Sequence, residues 1–245
     1  MKRSSILTLA AAAILLGSPV IAATIPPVIT AAVADSGRPA ADVERDATRK
    51  PAEVLAFVGV KPGMAVAELS PGGGYYTRLL AKTVGPKGKV YAIVAKAMTT
   101  RPGALDGLNA IVAANPNVVI TVVDSLSAIS LPEKVDLVWT TENYHDFHNG
   151  ATADIPGLNK AVYDALKPGG IFYVEDHAAA PGAGLAATSS LHRMDEEVAK
   201  SELKTAGFKL DKEGDLLHNP NDNRAGRNSE SGHFVSDRFM LRLKK

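Results

Sequence analysis

The sequence predicts an α/β fold, namely a seven-stranded, mostly parallel sheet with helices on both faces and an antiparallel last strand. Three observations carry this expectation. Short β-rich runs alternate with helical stretches of about ten residues, the pattern of βαβ units. Some runs, such as Val118-Val119-Ile120-Thr121-Val122-Val123, are apolar almost throughout, as central strands covered on both faces should be. The closing segment, with Phe234, Arg238, Met240, Arg242 and Lys244, alternates instead, which suits an antiparallel strand at one edge.

Residues 1–22 read as a signal peptide. Lys2 and Arg3 precede the apolar run Ile6 to Leu16, and small residues around Ala22 and Ala23 offer a cleavage site. That run is about half the ~20 residues a membrane-spanning helix needs. The expected product is therefore exported, periplasmic or secreted, with no stable membrane insertion once the signal is removed. Residues 23–45, rich in Ala, Pro and Val without steady periodicity, read as a leader before a single domain over 46–245.

Asp46 to Val58 reads as a helix with Val54, Leu55 and Val58 on one face and Gly59 at its end. Strands follow at Met64–Leu69, Lys89–Val94, Asn117–Val123, Val135–Thr140, Gly170–Glu175, Phe208–Leu210 and Phe234–Leu243. Helices lie between them at Tyr75–Val84, Ala104–Ala114, Leu158–Leu166 and Glu196–Ala206. His218 to Gly232 is polar, with almost nothing apolar, and reads as a long loop or lid.

With 46 % apolar and 22 % charged residues, a chain of 245 residues can build a core. A net charge of +1 and scattered aromatics argue against a nucleic-acid partner. The absence of cysteine excludes disulfides, thiolate metal sites and a thiol nucleophile.

The most informative stretch is Glu68-Leu69-Ser70-Pro71-Gly72-Gly73-Gly74-Tyr75, joining the first strand to a helix. Glycines there permit a sharp turn and close ligand approach, and the amides of the helix start favour negative charge. This stretch resembles the first motif of the class I S-adenosylmethionine-dependent methyltransferases: an acidic residue, then three glycines at alternate positions. Gly72 and Gly74 match the second and third glycines, and Ser70 stands in place of the first. Pro71 is expected to push Ser70 toward extended backbone. Asp124-Ser125 after the third strand, Val135-Asp136-Leu137-Val138-Trp139, Leu166-Lys167-Pro168-Gly169-Gly170 and Leu203 to Phe208 resemble later family segments in order, so the likeness spans roughly residues 46–210.

The resemblance implies a Rossmann-like methyltransferase fold and S-adenosylmethionine as cofactor, held by Glu68, Ser70, Gly72, Gly73, Gly74, Tyr75, Asp124 and Ser125. It leaves the methyl acceptor open. One departure stands out: the family's ribose-gripping acid is absent, since the second strand ends Val94-Ala95-Lys96. The alternative is a catalytically inactive ligand-binding protein on the same fold in the periplasm.

Glu68 could instead cap loop amides, and Asp124 could equally cap a turn. Arg49 and Lys50 could meet a ligand carboxylate, although a solvated helix face is the simpler reading. The polar cluster Thr140 to His148 follows the fourth strand, where open α/β sheets place ligands. Asn143, Tyr144 and His145 are the residues expected to position an acceptor or take its proton, with structural capping the alternative. His145, Asp146 and His148, with Asp176-His177, could converge on a metal, but they meet no standard ligand spacing and no metal is assigned. His192-Arg193 reads as loop or cap, and His218 and His233 are given no role.

Overall fold

A computed structural model describes residues 24–228 and 236–245. The signal segment, His233 and the start of the expected last strand at Phe234 lie outside the described residues. Among the described residues no helix is long and apolar enough to cross a membrane.

The sheet has seven strands: β1 (Ala65–Leu69), β2 (Lys89–Ala95), β3 (Val118–Val123), β4 (Val135–Thr141), β5 (Leu166–His177), β6 (Lys209–Gly214) and β7 (Arg238–Lys244). Their order is β3-β2-β1-β4-β5-β7-β6, parallel from β3 to β5, with β7 antiparallel to both β5 and β6. The expected fold class holds, with two strands placed differently from expectation. β7 lies inside the sheet, and Phe239 to Leu241 are buried there, while charged and mostly exposed β6 forms the edge. The apolar β3 is the opposite edge, with Val119 39 % and Val122 48 % exposed. An apolar run does not by itself distinguish a central strand from an edge one.

Alternate residues of the inner strands feed two cores. One lies under α1 (Pro27–Val33), α3 (Pro51–Val58), α4 (Tyr75–Val84) and α5 (Asp106–Ala114), and includes Val66, Trp139, Tyr173 and Met240. The other lies under α6 (Ile155–Ala165) and α8 (Glu196–Thr205), and includes Ala67, Val138, Phe172 and Leu241. α7 (Ala186–Leu191), between β5 and α8, was not expected from the sequence.

The region before β1 differs most from its sequence reading. Within the stretch 23–45 read as a leader, the described residues carry α1 and the first half of α2 (Ala40–Arg49). Ile29 of α1 is fully buried in the first core. The expected single helix over Asp46–Val58 is broken at Lys50, whose φ is 43°. The residue before a proline is disfavoured in helical geometry, and Pro51 opens α3 at a position where its missing N–H costs nothing. α2 is thereby turned across the carboxyl end of the sheet.

Candidate functional site

Chain direction across the sheet reverses between β1 and β4, the place where open α/β sheets leave a crevice beyond their strand ends. A cleft of about 290 Å³ lies there, walled by Glu68 and Ser70–Gly73 on one side and by Arg45, Arg49 and Glu142 on the other. A larger hollow of about 400 Å³ beside β7 is lined by Arg224, Asp237 and His218, of which Arg224 and His218 both pair with Asp237.

The glycine turn is built from backbone. Gly74 N–H donates to Pro71 O at 3.0 Å, closing a tight turn into α4. Gly72 and Gly74 have φ of 57° and 82°. An added Cβ at Gly72 or Gly73 would meet nothing within 4 Å, so these two border open space. At Gly74 it would sit 2.1 Å from Ile111 Cδ1, so this glycine serves the packing of α4 on α5. Ser70 is not extended: its φ is +49°, the left-handed geometry a glycine would take most easily. Two bonds pin it there. Its N–H donates to Ile93 O at 3.0 Å, and its carbonyl accepts from Asn143 Nδ2 at 3.1 Å.

Glu68 is 3 % exposed and accepts a 2.6 Å bond from Thr77 Oγ1. Burial pushes its carboxyl up to about 8, against the pull of Thr77, Arg49 and Arg78. Tyr75 lines the cleft, but its hydroxyl donates to Asp46 Oδ1 at 2.6 Å and its ring lies near the guanidinium groups of Arg38, Arg45 and Arg49. It anchors α2 over the turn.

The opposite wall is electrostatic. Arg49 is 4 % exposed, which overturns its reading as a solvated helix face, and it pairs with Glu142. Arg238 of β7 bridges Glu142 at 3.1 Å and Glu175 at 2.9 Å, and donates to Thr48 O at 2.6 Å. Glu142 itself has a φ of 57°. Arg45 is held below its usual value by burial and by the neighbouring charge of Arg49. Lys50 turns away and donates to Leu216 O. Arg45, Glu142, Glu175 and Arg238 were not singled out from the sequence. The polar cluster after β4 hinted at Glu142, whereas Arg238 had no local signal.

The remaining sequence candidates separate. Asn143 lines the cleft and ties the loop after β4 to the glycine turn, donating to both Ser70 O and Thr141 O. Tyr144 is fully buried in the second core, its hydroxyl bonded to Asn159 and Glu202, so it does not face an acceptor. His145 is 2 % exposed, with Nδ1 2.7 Å from Asp176 Oδ1. Burial depresses the imidazole, but Asp176 and Asp146 outweigh that and hold it up at about 10, which makes it a poor proton acceptor near neutral pH. Asp124 and Ser125 do not line the cleft: the Asp124 side chain is 87 % exposed with Lys96 Nζ at 3.5 Å, and Ser125 bonds Ser127. His148 turns to Glu202, and His177 Nδ1 to Ser236. Arg193 is fully buried against Asp222.

No family model and no curated protein matches the sequence. Solved structures do match in fold. A SAM-dependent methyltransferase from Aquifex aeolicus aligns at 19 % identity and a TM-score of 0.57, covering 82 % of this chain and 97 % of that one. An S-adenosylmethionine-dependent methyltransferase from Mesorhizobium loti aligns at 16 % identity and a TM-score of 0.56, covering 82 % and 100 %. Aeropyrum pernix fibrillarin, in complex with natively bound S-adenosyl-L-methionine, aligns at 17 % identity and a TM-score of 0.51, covering 81 % and 76 %. Strand order, glycine turn and these likenesses agree: the chain has the class I S-adenosylmethionine-dependent methyltransferase-like fold.

Proposed function

We propose that the chain binds S-adenosylmethionine in the switch-point cleft and transfers its methyl group to an acceptor still to be identified. The observation that carries this reading is the buried Glu68 carboxyl beside a turn whose Gly72 and Gly73 border open space. The methionine end of the cofactor fits the residues present. A carboxyl raised to about 8 by burial gains most from a cation, and the ligand's ammonium is one. Arg45, depressed by burial and by Arg49, gains from an anion, and the ligand's carboxylate is one. The ribose end lacks its usual acid, because β2 ends in Val94-Ala95-Lys96.

When bound, the cofactor supplies an electrophilic methyl group. The chain's own residues hold and align the ligand and exclude water. Asn143 fixes the loop after β4 against the turn, and α2 covers it through Tyr75 and Asp46. Asp124 and Ser125, outside the cleft, are given no part in holding the ligand.

The second reading is a ligand-binding protein without catalysis, favoured by the missing acid after β2. The periplasmic or secreted location proposed from residues 1–22 supports it too, since a charged cofactor made inside the cell has no evident supply there. Calorimetric titration with S-adenosylmethionine separates the readings when paired with methyl transfer from a labelled donor to envelope extracts. Binding with transfer supports the enzyme, and binding without transfer supports the second reading. A flat titration at millimolar ligand ends both as they concern this cofactor.

A further inference from the structure

One cluster of chemistry-bearing side chains is left unused by the cofactor reading. It lies at the same edge of the sheet, on the loop after β4 and the end of α7. His145 Nε2 is 3.2 Å from Asp146 Oδ1, and His192 Nδ1 is 3.3 Å from that same oxygen. The three ligand atoms all lie within 4.8 Å of one another. Ligands placed tetrahedrally about 2.0–2.1 Å from a zinc ion are roughly 3.3 Å apart, so the two short separations already match the edges of such a tetrahedron.

The surroundings are those of a supported ligand. Asp176, fully buried, accepts from the backbone N–H of His145 at 2.6 Å and from that of His177 at 2.8 Å. It also holds His145 Nδ1 at 2.7 Å. With Asp176 on Nδ1, Nε2 faces the cluster, and an arriving cation would displace the proton shared there with Asp146, the arrangement found behind metal-bound imidazoles. The side chains of Asp146 and His192 are 46 % and 36 % exposed, so an ion can enter from solvent. His192 keeps a φ of 51°, a geometry that costs energy for a non-glycine residue and that clusters at functional sites.

We propose that His145 Nε2, the Asp146 carboxylate and His192 Nδ1 form an open three-ligand site for a divalent cation of the zinc class, with Asp176 as the positioning residue behind His145. Two imidazoles and one carboxylate suit zinc or cobalt rather than calcium or magnesium. Three protein ligands leave a fourth position for water or an anionic oxygen. The site does not rest on the cofactor reading, although His145 lies only two residues beyond Asn143 in the cleft wall.

The test uses untagged full-length protein, stripped with chelator and then titrated with zinc alone and cobalt alone. The expected result is one tightly held equivalent of zinc and, for cobalt, the intense visible absorption of a tetrahedral site. His192→Asn, which tolerates the left-handed backbone, and Asp146→Asn should each weaken binding at least 100-fold. The metal-free thermal midpoint should stay nearly unchanged for His192→Asn, whereas Asp146→Asn, which removes an ion pair with buried His145, should lower it. His148→Gln, outside the cluster, should bind as the unaltered chain does. Absence of stoichiometric zinc and cobalt, or binding that both His192→Asn and Asp146→Asn leave intact, overturns the site and leaves a plain ion-paired triad.

Discussion

The two walls of the cleft are made by opposite means. One wall, Glu68 to Tyr75, is a contiguous stretch whose shape comes from backbone: a strand end, three glycines and a helix start. The other presents Arg49 of α2 and Glu142 just after β4, backed by Glu175 of β5 and Arg238 of β7, and its shape comes from charge. The first needs only local sequence. The second exists only when distant elements have docked, so it reports the assembled fold rather than any one segment. Substitutions on the two walls should therefore fail in different ways.

The largest effect is expected on the charged wall. Arg49→Ala removes one cation from between Glu142 and the aromatic pair Tyr75 and Tyr76. It leaves Arg238 as the guanidinium bridging the two buried carboxylates. Breaking a buried pair in this way typically costs about 3–5 kcal/mol. Urea unfolding of the variant should show that loss, together with protease sensitivity in α2. A cost below about 1 kcal/mol would place Arg49 among exposed pairs and erase the contrast between the walls.

Glu68 should give the next largest signal, and it depends on pH. Because the folded carboxyl is raised to about 8 from a usual 4.5, the native state binds this proton more tightly than the unfolded chain does. The penalty for ionising it is absent below about pH 4.5, grows as pH rises toward 8, and is constant above. Its size at pH 8 is on the order of 4 kcal/mol. Glu68→Gln should flatten this slope in unfolding curves between pH 5 and 9. With a cationic ligand in the cleft the carboxyl ionises on binding. Affinity should then rise with pH up to about 8 in the unaltered chain and lose that rise in the variant. A variant with an unchanged pH slope would show that Glu68 is not the titrating group.

Within the glycine turn, neighbouring positions should part company. Gly74→Ala forces a methyl against Ile111 in a left-handed backbone, at a cost of about 2 kcal/mol. Gly73→Ala meets nothing and has no positive φ, so its stability should change by no more than about 0.5 kcal/mol. Its effect belongs to ligand approach: calorimetry should show at least tenfold weaker cofactor binding. Equal losses of stability at both positions would mean that the turn is structural throughout.

Legibility followed the same division. From β1 to α8 the strands and every helix but α7 were readable because period and punctuation are local, and the glycine turn announced itself. Residues 27–45 were not readable. α2 buries charged rather than apolar side chains, with Arg38 on Asp46 and Arg78 on Asp42, so it lacks an apolar stripe. Tyr144 and His145 were placed on the right loop, but the sequence could not say which way they point. Tyr144 goes under α6 and α8, and His145 goes to Asp176, a partner 31 residues away. The cluster of His145, Asp146 and His192 has no sequence spacing of its own, since α7 brings His192 to it only in the fold.

The smallest expected effect is the most discriminating for the family likeness. Ser70 stands where the methyltransferase motif has its first glycine, and the proline after it should favour extended backbone. The structure instead holds Ser70 at a φ of +49° between Ile93 O and the Asn143 amide. A non-glycine residue pays roughly 1–2 kcal/mol for that geometry, while glycine loses about 0.5–1 kcal/mol more entropy on folding. Ser70→Gly should therefore stabilise the chain by a few tenths to about 1 kcal/mol, read as a raised thermal midpoint, with cofactor affinity unchanged or better. Destabilisation by the glycine would mean that the serine side chain holds the turn. Ser70 would then be a distinct local solution, and the turn would be less like the motif than its shape implies.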